Sequence, residues 1–415
     1  ARIVGELKQT NRQLDRNIYE LNTLLDLSKD FNKLVDREEI IRIFKFTMLG
    51  QMLIRNFFFL LEQDGRRSIA AFNNIKGELT DDEINALFNI TRDVFIVDDN
   101  LSQKIPFLKN NNIHALISLE FQNARMAVVG ISKPANKDSY SEADFKFLQS
   151  LGNLALLSIQ KTLLLEARIE KERLEEELNI AKNIQKGLLP NPIPTHPALD
   201  IAASNVSSRQ VGGDYFDILE ARNKKLLFAI GDVTGKGTPA ALLMANLQAI
   251  IHVLLPIDIS LEEATGRINN MIYRNTPDDK FVTFFWGLFD PETAAFSYVN
   301  AGHNPVLVFQ ENSDNYAKLE EGGLILGAMP TMNPYKKETV NLKKGDLLVF
   351  YTDGVTEALN PDETEEYEEK RLIECIRQNK EKSAQEVIDA VIDDVNRWSY
   401  NTQHDDITIM ALKVR

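Results

Sequence analysis

Four groups of aspartates stand where apolar runs stop or start. Asp214 follows Gly212-Gly213 in "RQVGGDYFDI". Asp232 closes "LLFAIGD", Asp353 closes "LLVFYTD", and Asp405 and Asp406 open "DDITIMALKV". A carboxylate placed just past a strand sits at a sheet edge, close to other such ends. One aspartate there is ordinarily a turn residue or a helix cap. Four groups demand more, because clustered carboxylates repel and must share protons or cations. The donors are all oxygen, with no His or Cys cluster beside them, which selects a hard divalent ion such as Mg²⁺ or Mn²⁺ over zinc.

Glycines surround these acids. In "GDVTGKGTPAALLM", Gly231 precedes Asp232, and Gly235 and Gly237 follow it. They let backbone approach a metal or phosphate and turn sharply into a helix, which Pro239 suits in its first turn. The spacing is not that of a P-loop, which needs four residues between its first Gly and Gly-Lys, then Ser or Thr. Near the other acids, Arg209 lies five residues before Asp214 and is a candidate for holding a phosphate by a bidentate contact, or a plain surface arginine. Thr234 and Lys236 are weaker candidates for the phosphate side. Gly302 and Pro305 around His303 in "VNAGHNP" favour a turn over an acid. Asp217 reads as a structural neighbour of Asp214.

The elements that must position these residues fall in two blocks. Residues 193–415 carry recurrent strand-like runs, among them "LDIAASNV", "KKLLFAIGDV", "FVTFFWGLFD", "AAFSYVNAG" and "GDLLVFYTDG". Two helical stretches, "PAALLMANLQAIIHVLL" and "SAQEVIDAVIDDVNRW", are inserted among them. That order predicts antiparallel sheets flanked by helices, an α+β sandwich. Residues 29–160 form a second α+β block. "REEIIRIFKFTMLGQML" has helical spacing, "RNFFFLLEQDGRRSIAAF" reads as two strands around an Asp64-Gly65 turn, and "ARMAVVGISK" as another strand. Ser141 caps a long amphipathic helix. His114, the lone histidine there, reads as structural.

Heptads flank this block. Val4, Asn11, Ile18 and Leu25 share one position over residues 1–28, and Leu7, Leu14 and Leu21 the other, a pattern that favours a parallel two-stranded coiled coil over a helix packed on its own domain. Over residues 161–192, Ala167, Leu174, Ala181 and Leu188 form a second, weaker seam. Its other row, Leu164 and Leu178, is interrupted by Lys171 and Gln185. A weak seam between two domains is a bistable element, or a plain connector helix. The heptads are under way at Ala1, as expected of a piece of a longer chain.

Composition bounds the rest. The formal net charge of −14 disfavours nucleic acid and anionic lipid as partners. Cys375 is the only cysteine, so an intrachain disulfide and a Cys-rich metal site are excluded, and a cytoplasmic setting is expected. No run approaches the ~18 apolar residues of a membrane span.

Taken in order, "VGGDYFD", "GDVTGKGTPAAL", "VNAGHNP", "YTDGVTEA" and "HDDITIMAL" resemble the metal-dependent serine/threonine phosphatases of the type 2C (PPM) fold, in their bacterial stage II sporulation E-like branch. The first block, especially "ADFKFLQSLGNLALLSIQ", is similar to a GAF sensor domain. The resemblance implies a β-sandwich of two antiparallel sheets with two Mn²⁺ or Mg²⁺ ions at one edge, and a bridging water that attacks phosphorus in line. It implies Asp232 and the backbone carbonyl of Val233 as ligands, Asp353 and Asp405 on one metal, and Asp214 on the other. Asp406 is the alternative to Asp405. It also implies a phosphoserine or phosphothreonine substrate on a STAS-type anti-sigma factor antagonist, and a homodimeric, sensor-regulated enzyme. The sensor's ligand is not legible.

Two other classes compete. An inactive phosphatase fold acting by partner binding would have lost an acidic motif, and all four are present. A nucleotide cyclase is suggested by the one-letter similarity of Gly-Gly-Asp-Tyr-Phe to the Gly-Gly-Asp-Glu-Phe signature. It needs a further metal-binding Asp about forty residues upstream on a strand, where this chain has the charged helix "EKERLEEELNIAKNIQKG".

Overall fold

The computed structural model describes residues 2–415 except 35, 64, 91, 123, 137, 138, 277–279, 312 and 314. The chain divides into two compact units, Ala1–Arg173 and Leu174–Arg415, and the division falls within one long helix.

In the first unit the order is α1 (Arg2–Lys33), α2 (Arg37–Gln51), β1 (Phe57–Gln63), β2 (Arg66–Asn73), α3 (Asp81–Phe88), β3 (Val94–Ile96), α4 (Asp99–Lys104), α5 (Pro106–Asn110), β4 (Ile113–Phe121), β5 (Ala124–Ser132) and α6 (Glu142–Lys186). The sheet is antiparallel with order β2-β1-β5-β4-β3. The run Phe57–Leu61 does not alternate with polar residues because both faces of β1 are covered. Phe57, Phe59 and Leu61 pack with Phe44 and Met48 of α2 and Leu151, Ala155 and Ile159 of α6. Phe58 and Leu60 pack on the opposite side with Leu87 and Phe88 of α3 and with Phe107 and Leu108. Each such side chain contributes about 1.5–3 kcal/mol by leaving water.

The two strands expected around residue 64 are β1 and β2. Asp64 itself lies outside the described residues, and Gly65 has φ +74°. Ser141 caps α6 as expected: its Oγ accepts from Asp144 N, and Asp144 Oδ2 accepts from Ser141 N at 2.7 Å. Of the α1 heptad positions, Leu7, Leu14, Ile18, Leu21 and Leu25 are all at least half exposed; the side chain of Val4 lies outside those described.

The second unit contains the C-terminal part of α6, then β6 (Leu199–Val206), β7 (Tyr215–Glu220), β8 (Leu226–Val233), α7 (Thr238–Leu254), α8 (Leu261–Asn275), β9 (Val282–Asp290), β10 (Ala295–Ala301), β11 (Val306–Phe309), β12 (Tyr316–Leu319), β13 (Gly322–Gly323), β14 (Glu338–Asn341), β15 (Leu347–Tyr351), α9 (Asp353–Thr356), α10 (Glu368–Asn379), α11 (Ala384–Trp398) and β16 (Ile407–Val414). One sheet runs β13-β10-β9-β8-β7, with β14 also on β10; the other runs β12-β11-β15-β16-β6. Phe228, Ile230, Phe285 and Phe296 of the first sheet meet Val306, Leu348, Phe350 and Met410 of the second in a shared core. Helices α7 and α8 cover the outer face of the first sheet, and α10 and α11 that of the second.

The fold is therefore the expected α+β sandwich of two sheets flanked by helices. One pairing departs from the antiparallel expectation: β13 joins β10 in parallel. Both residues of β13 are glycines, and a Cβ at Gly322 would fall 1.8 Å from Asn300 O, so only glycine can lie this close. The acidic loop "NPDETEEYEEKR" is partly helical, since its last four residues open α10. Glu368 and Glu369 fall in that first turn, where acidic side chains suit the helix dipole.

Candidate metal centre

The sandwich brings the acidic groups to one end. Asp214 immediately precedes β7, and Asp232 lies at the end of β8, which pairs with β7 in the register Tyr215–Gly231. Asp353 follows β15, separated from it only by Thr352, and opens the short helix α9. Asp405 and Asp406 immediately precede β16, which pairs with β15. Two strand ends from each sheet thus face one another across the interlayer edge.

Asp214 is buried and is gripped on one oxygen. Its Oδ2 accepts from Thr352 Oγ1 at 2.9 Å and from Thr408 Oγ1 at 2.5 Å. Its Oδ1 is buried with no hydrogen-bond partner. Burial first, and then the neighbouring charge of Asp232, push the Asp214 carboxyl well above the usual carboxylate range, against the two threonine hydrogen bonds. Burial and then the charges of Asp353 and Asp405 push Asp232 up to about 7. Asp353 is raised by burial and by Asp405, opposed by the Gly354 N–H and by Lys236. The exposed Glu357 beside them is raised by partial burial and by Asp353.

Asp405 and Asp406 differ in what they hold. Both oxygens of Asp406 are occupied by one loop: Oδ1 accepts from Ser208 N at 2.7 Å and Ser208 Oγ at 3.0 Å, and Oδ2 accepts from Gly213 N at 2.8 Å. Asp405 Oδ2 pairs with Lys236 Nζ at 2.8 Å, its Oδ1 accepts from Asp406 N, and its charge acts on Asp232 and Asp353. Asp406 therefore fastens the Gly-Gly-Asp loop while Asp405 faces the other carboxylates.

Close backbone approach makes this possible. A Cβ on Gly213 would sit 2.9 Å from Val233 O, and one on Gly354 would sit 1.9 Å from Asp406 O. The Val233 carbonyl thus stands against the Gly-Gly-Asp loop. Gly237, with φ +78°, turns the chain into α7.

The remaining sequence candidates separate clearly. Arg209 is exposed, its Nη1 lies 3.9 Å from where a Gly237 Cβ would be, and among the described residues it makes no ion pair. Lys236 binds Asp405 and His404 O. Thr234 is not turned to the acids; its hydroxyl exchanges hydrogen bonds with the backbone of Phe281. His303 is buried against Thr283 Oγ1 at 2.8 Å, and desolvation lowers it to about 4, so it is a neutral turn residue. Asp217 points away into the layer under α7, where it binds Tyr215 and His252.

Three participants escaped sequence reasoning. Thr352 and Thr408 lie within the motifs "YTDG" and "DDIT", where the aspartates drew the attention. Gln185, which breaks the apolar row of the linker seam, donates from Nε2 to Gly212 O at 2.7 Å and accepts from Gly212 N at 3.1 Å. Its polarity at that position has this pairing as its reason.

The donor set fits a hard divalent cation. It is all oxygen, burial and neighbouring carboxylate charge raise Asp214, Asp232 and Asp353 within it, and it includes a buried oxygen that no donor reaches. Among the described residues no three His, Cys, Asp or Glu side chains converge as a finished ligand set. The side chains that would close it are engaged elsewhere, Asp405 with Lys236 and Asp406 with the Ser208–Gly213 loop.

A family model described as Stage II sporulation protein E (SpoIIE) matches residues 222–415. The phosphoserine phosphatase RsbU of Bacillus subtilis (strain 168) is 31% identical over 243 residues, covering 59% of this chain and 71% of RsbU. The chain belongs to the SpoIIE family of PP2C-type protein serine/threonine phosphatases. The SpoIIE family is metal-dependent, in keeping with the carboxylate cluster. Protein IcfG of Synechocystis sp. (strain ATCC 27184 / PCC 6803 / Kazusa) is 28% identical over 264 residues, covering 57% of this chain and 41% of IcfG. The solved SiaA-PP2C domain of Pseudomonas aeruginosa superposes with a TM-score of 0.50 at 18% identity, covering 59% of this chain and 99% of that one, and so shares the fold. Asp214 and its glycines precede the SpoIIE match, which begins at residue 222.

Proposed function

We propose that this chain is a sensor-regulated phosphatase that removes phosphate from serine or threonine of a partner protein, a STAS-type anti-sigma factor antagonist. The observation that carries the reading is the meeting of Asp214, Asp232, Asp353 and Asp405 from four strand ends on two sheets, with the carboxyls of Asp214, Asp232 and Asp353 raised by burial and then by neighbouring carboxylate charge. RsbU is named a phosphoserine phosphatase, which supports the substrate class.

In this reading Asp232, Asp353 and Asp405, with the Val233 carbonyl, hold one or two Mn²⁺ or Mg²⁺ ions together with Asp214. Bound there, the cations supply Lewis acidity that makes water a nucleophile near neutral pH. Everything else falls to the chain's own groups. Thr352 and Thr408 hold Asp214 by one oxygen and leave the other, buried, for a cation. Lys236 restrains Asp405. Arg209, which makes no ion pair among the described residues and lies near Gly237, receives the substrate phosphate. No protein nucleophile is needed. The reading is tested by following phosphate release from serine-phosphorylated STAS-domain proteins of the same genome. Release that needs no divalent cation, or that is absent with every such protein, sinks it.

The first unit acts as the GAF-like sensor, and the exposed heptad positions of α1 and of α6, including Leu164 and Leu174, pair across a parallel homodimer. The residues of the linker read as 161–192 then pass the signal through Gln185, whose amide grips Gly212 beside the Asp406-fastened loop. Gln185→Ala removes two hydrogen bonds to backbone, about 0.5–1.5 kcal/mol each. It is expected to change basal turnover by roughly 3- to 30-fold, raise the Mn²⁺ concentration for half-activity and lower the melting temperature by several degrees. Turnover and Mn²⁺ dependence equal to wild type would remove Gln185 from the coupling route.

A further inference from the structure

Both faces of the first unit's sheet are filled with apolar side chains, and a cleft opens at the sheet's end. There the starts of β1 and β4 meet the ends of β2, β3 and β5 around a cleft of about 660 Å³, within the range of small-molecule sites. Arg55, Lys109, Lys133 and His114 line it, and no carboxylate does. Among the described residues none of the three full cations makes an ion pair, in a chain whose net charge is −14.

The wall is built, not loose. Asn56 Nδ2 donates to Asn111 O at 2.8 Å, Asn74 Nδ2 donates to Asn56 Oδ1 at 2.7 Å, and Asn56 N donates to Ser132 Oγ at 3.2 Å. The buried Asn111 side chain ties the same wall to Lys76 N and Lys76 O. These bonds hold the segments bearing Arg55, Lys109 and Lys133 in fixed relation. His114 reports the local field: partial burial first, and then the Lys133 charge, lower its pKa. Cations that no described carboxylate pairs with, held around a polar cleft, suit an anion of more than one charge. Arg55 offers a planar fork, and the lysines act as point charges, a combination that suits phosphate oxygens.

We propose that this cleft binds a small, multiply charged phosphate-bearing molecule, and that recognition is through its phosphates. The site lies wholly in the first unit and does not depend on the phosphatase reading.

The test is calorimetric titration of the full chain with pyrophosphate, with ATP and with adenosine, at near-physiological salt and with chelator present. The chelator keeps phosphate from binding through a cation at the carboxylate cluster. Saturable binding of pyrophosphate or ATP, and none of adenosine, is expected. Binding of pyrophosphate as tight as ATP assigns recognition to the phosphates alone; tighter ATP binding adds a base contact; either supports the site. Arg55→Glu and Lys133→Glu should each weaken binding roughly tenfold or more, as loss of a charge-assisted hydrogen bond does. Both residues are exposed, so the variants should melt like wild type; Arg55→Gln and Lys133→Gln, which should weaken binding less, serve if they do not. Asp232→Asn should bind as wild type. No saturable binding of either phosphate probe overturns the proposal. So does binding unchanged in both reversal variants, adenosine binding as tightly as ATP, or binding lost in Asp232→Asn.

Discussion

Asp232→Asn is expected to lower divalent-dependent phosphoprotein hydrolysis by at least about 10³-fold, the scale of losing a principal electrostatic group from a reacting centre. The substitution is nearly isosteric, so the loss cannot be charged to packing. Asp232 is the hub of the cluster: it feels the charges of Asp353 and Asp405, and its own charge acts on Asp214. An amide there keeps an oxygen but removes the charge that balances a divalent ion. Phosphate release measured over a range of Mn²⁺ concentrations checks it. A loss recovered at higher Mn²⁺ points to affinity, and one that persists points to the reacting geometry. Activity within a few fold of wild type at all concentrations would remove Asp232 from the centre.

The second large effect concerns stability without metal. Burial and neighbouring charge place Asp232 at about 7 in the folded chain, against 3.8 for an ordinary aspartate. A carboxyl raised in this way binds its proton more tightly when folded than when unfolded. Its contribution is therefore fully present below about pH 4 and is lost as pH rises through about 7. In chelator, wild type should lose on the order of 4 kcal/mol across that window relative to Asp232→Asn, whose side chain does not titrate. Mn²⁺ at pH near 7 should restore the wild type, since a cation bound only by the folded state stabilises by mass action. Melting temperatures of the two proteins, with and without Mn²⁺, read this directly. If the wild type gained stability relative to the variant as pH rose, the sign would be wrong and the carboxylates would not be crowded.

The sandwich was legible because its strands carry long apolar runs that end in glycine and aspartate. "LLFAIGD" and "LLVFYTD" announce both the strand and the residue delivered at its end. Helices α8 and α10 were less visible. The α8 stretch, "LEEATGRINNMIYRN", is mostly polar, and α10 emerges from an acidic stretch whose composition alone reads as loop. The strands β3 and β4 and the helices α3–α5 of the first unit were likewise hidden, since "NNIHALISL" is a short apolar run with no period to classify it.

Within the site, sequence order identified the acids but could not say which oxygen does what. Asp405 and Asp406 are adjacent and chemically identical. Only the fold shows that Ser208 and Gly213 occupy the second of them. Thr352 and Thr408 reach Asp214 across 138 and 194 residues, a distance at which no local pattern operates. Gln185 was visible solely as a flaw in a seam. Its reason lies 27 residues further on, at Gly212.

The most direct test of the account is a calorimetric titration of Mn²⁺ into metal-free full-length protein near neutral pH, for the wild type and for Asp232→Asn. Saturable binding by the wild type, weakened at least about tenfold in the variant, is what a cation held by these carboxylates requires. Equal Mn²⁺ binding by the two proteins would contradict it.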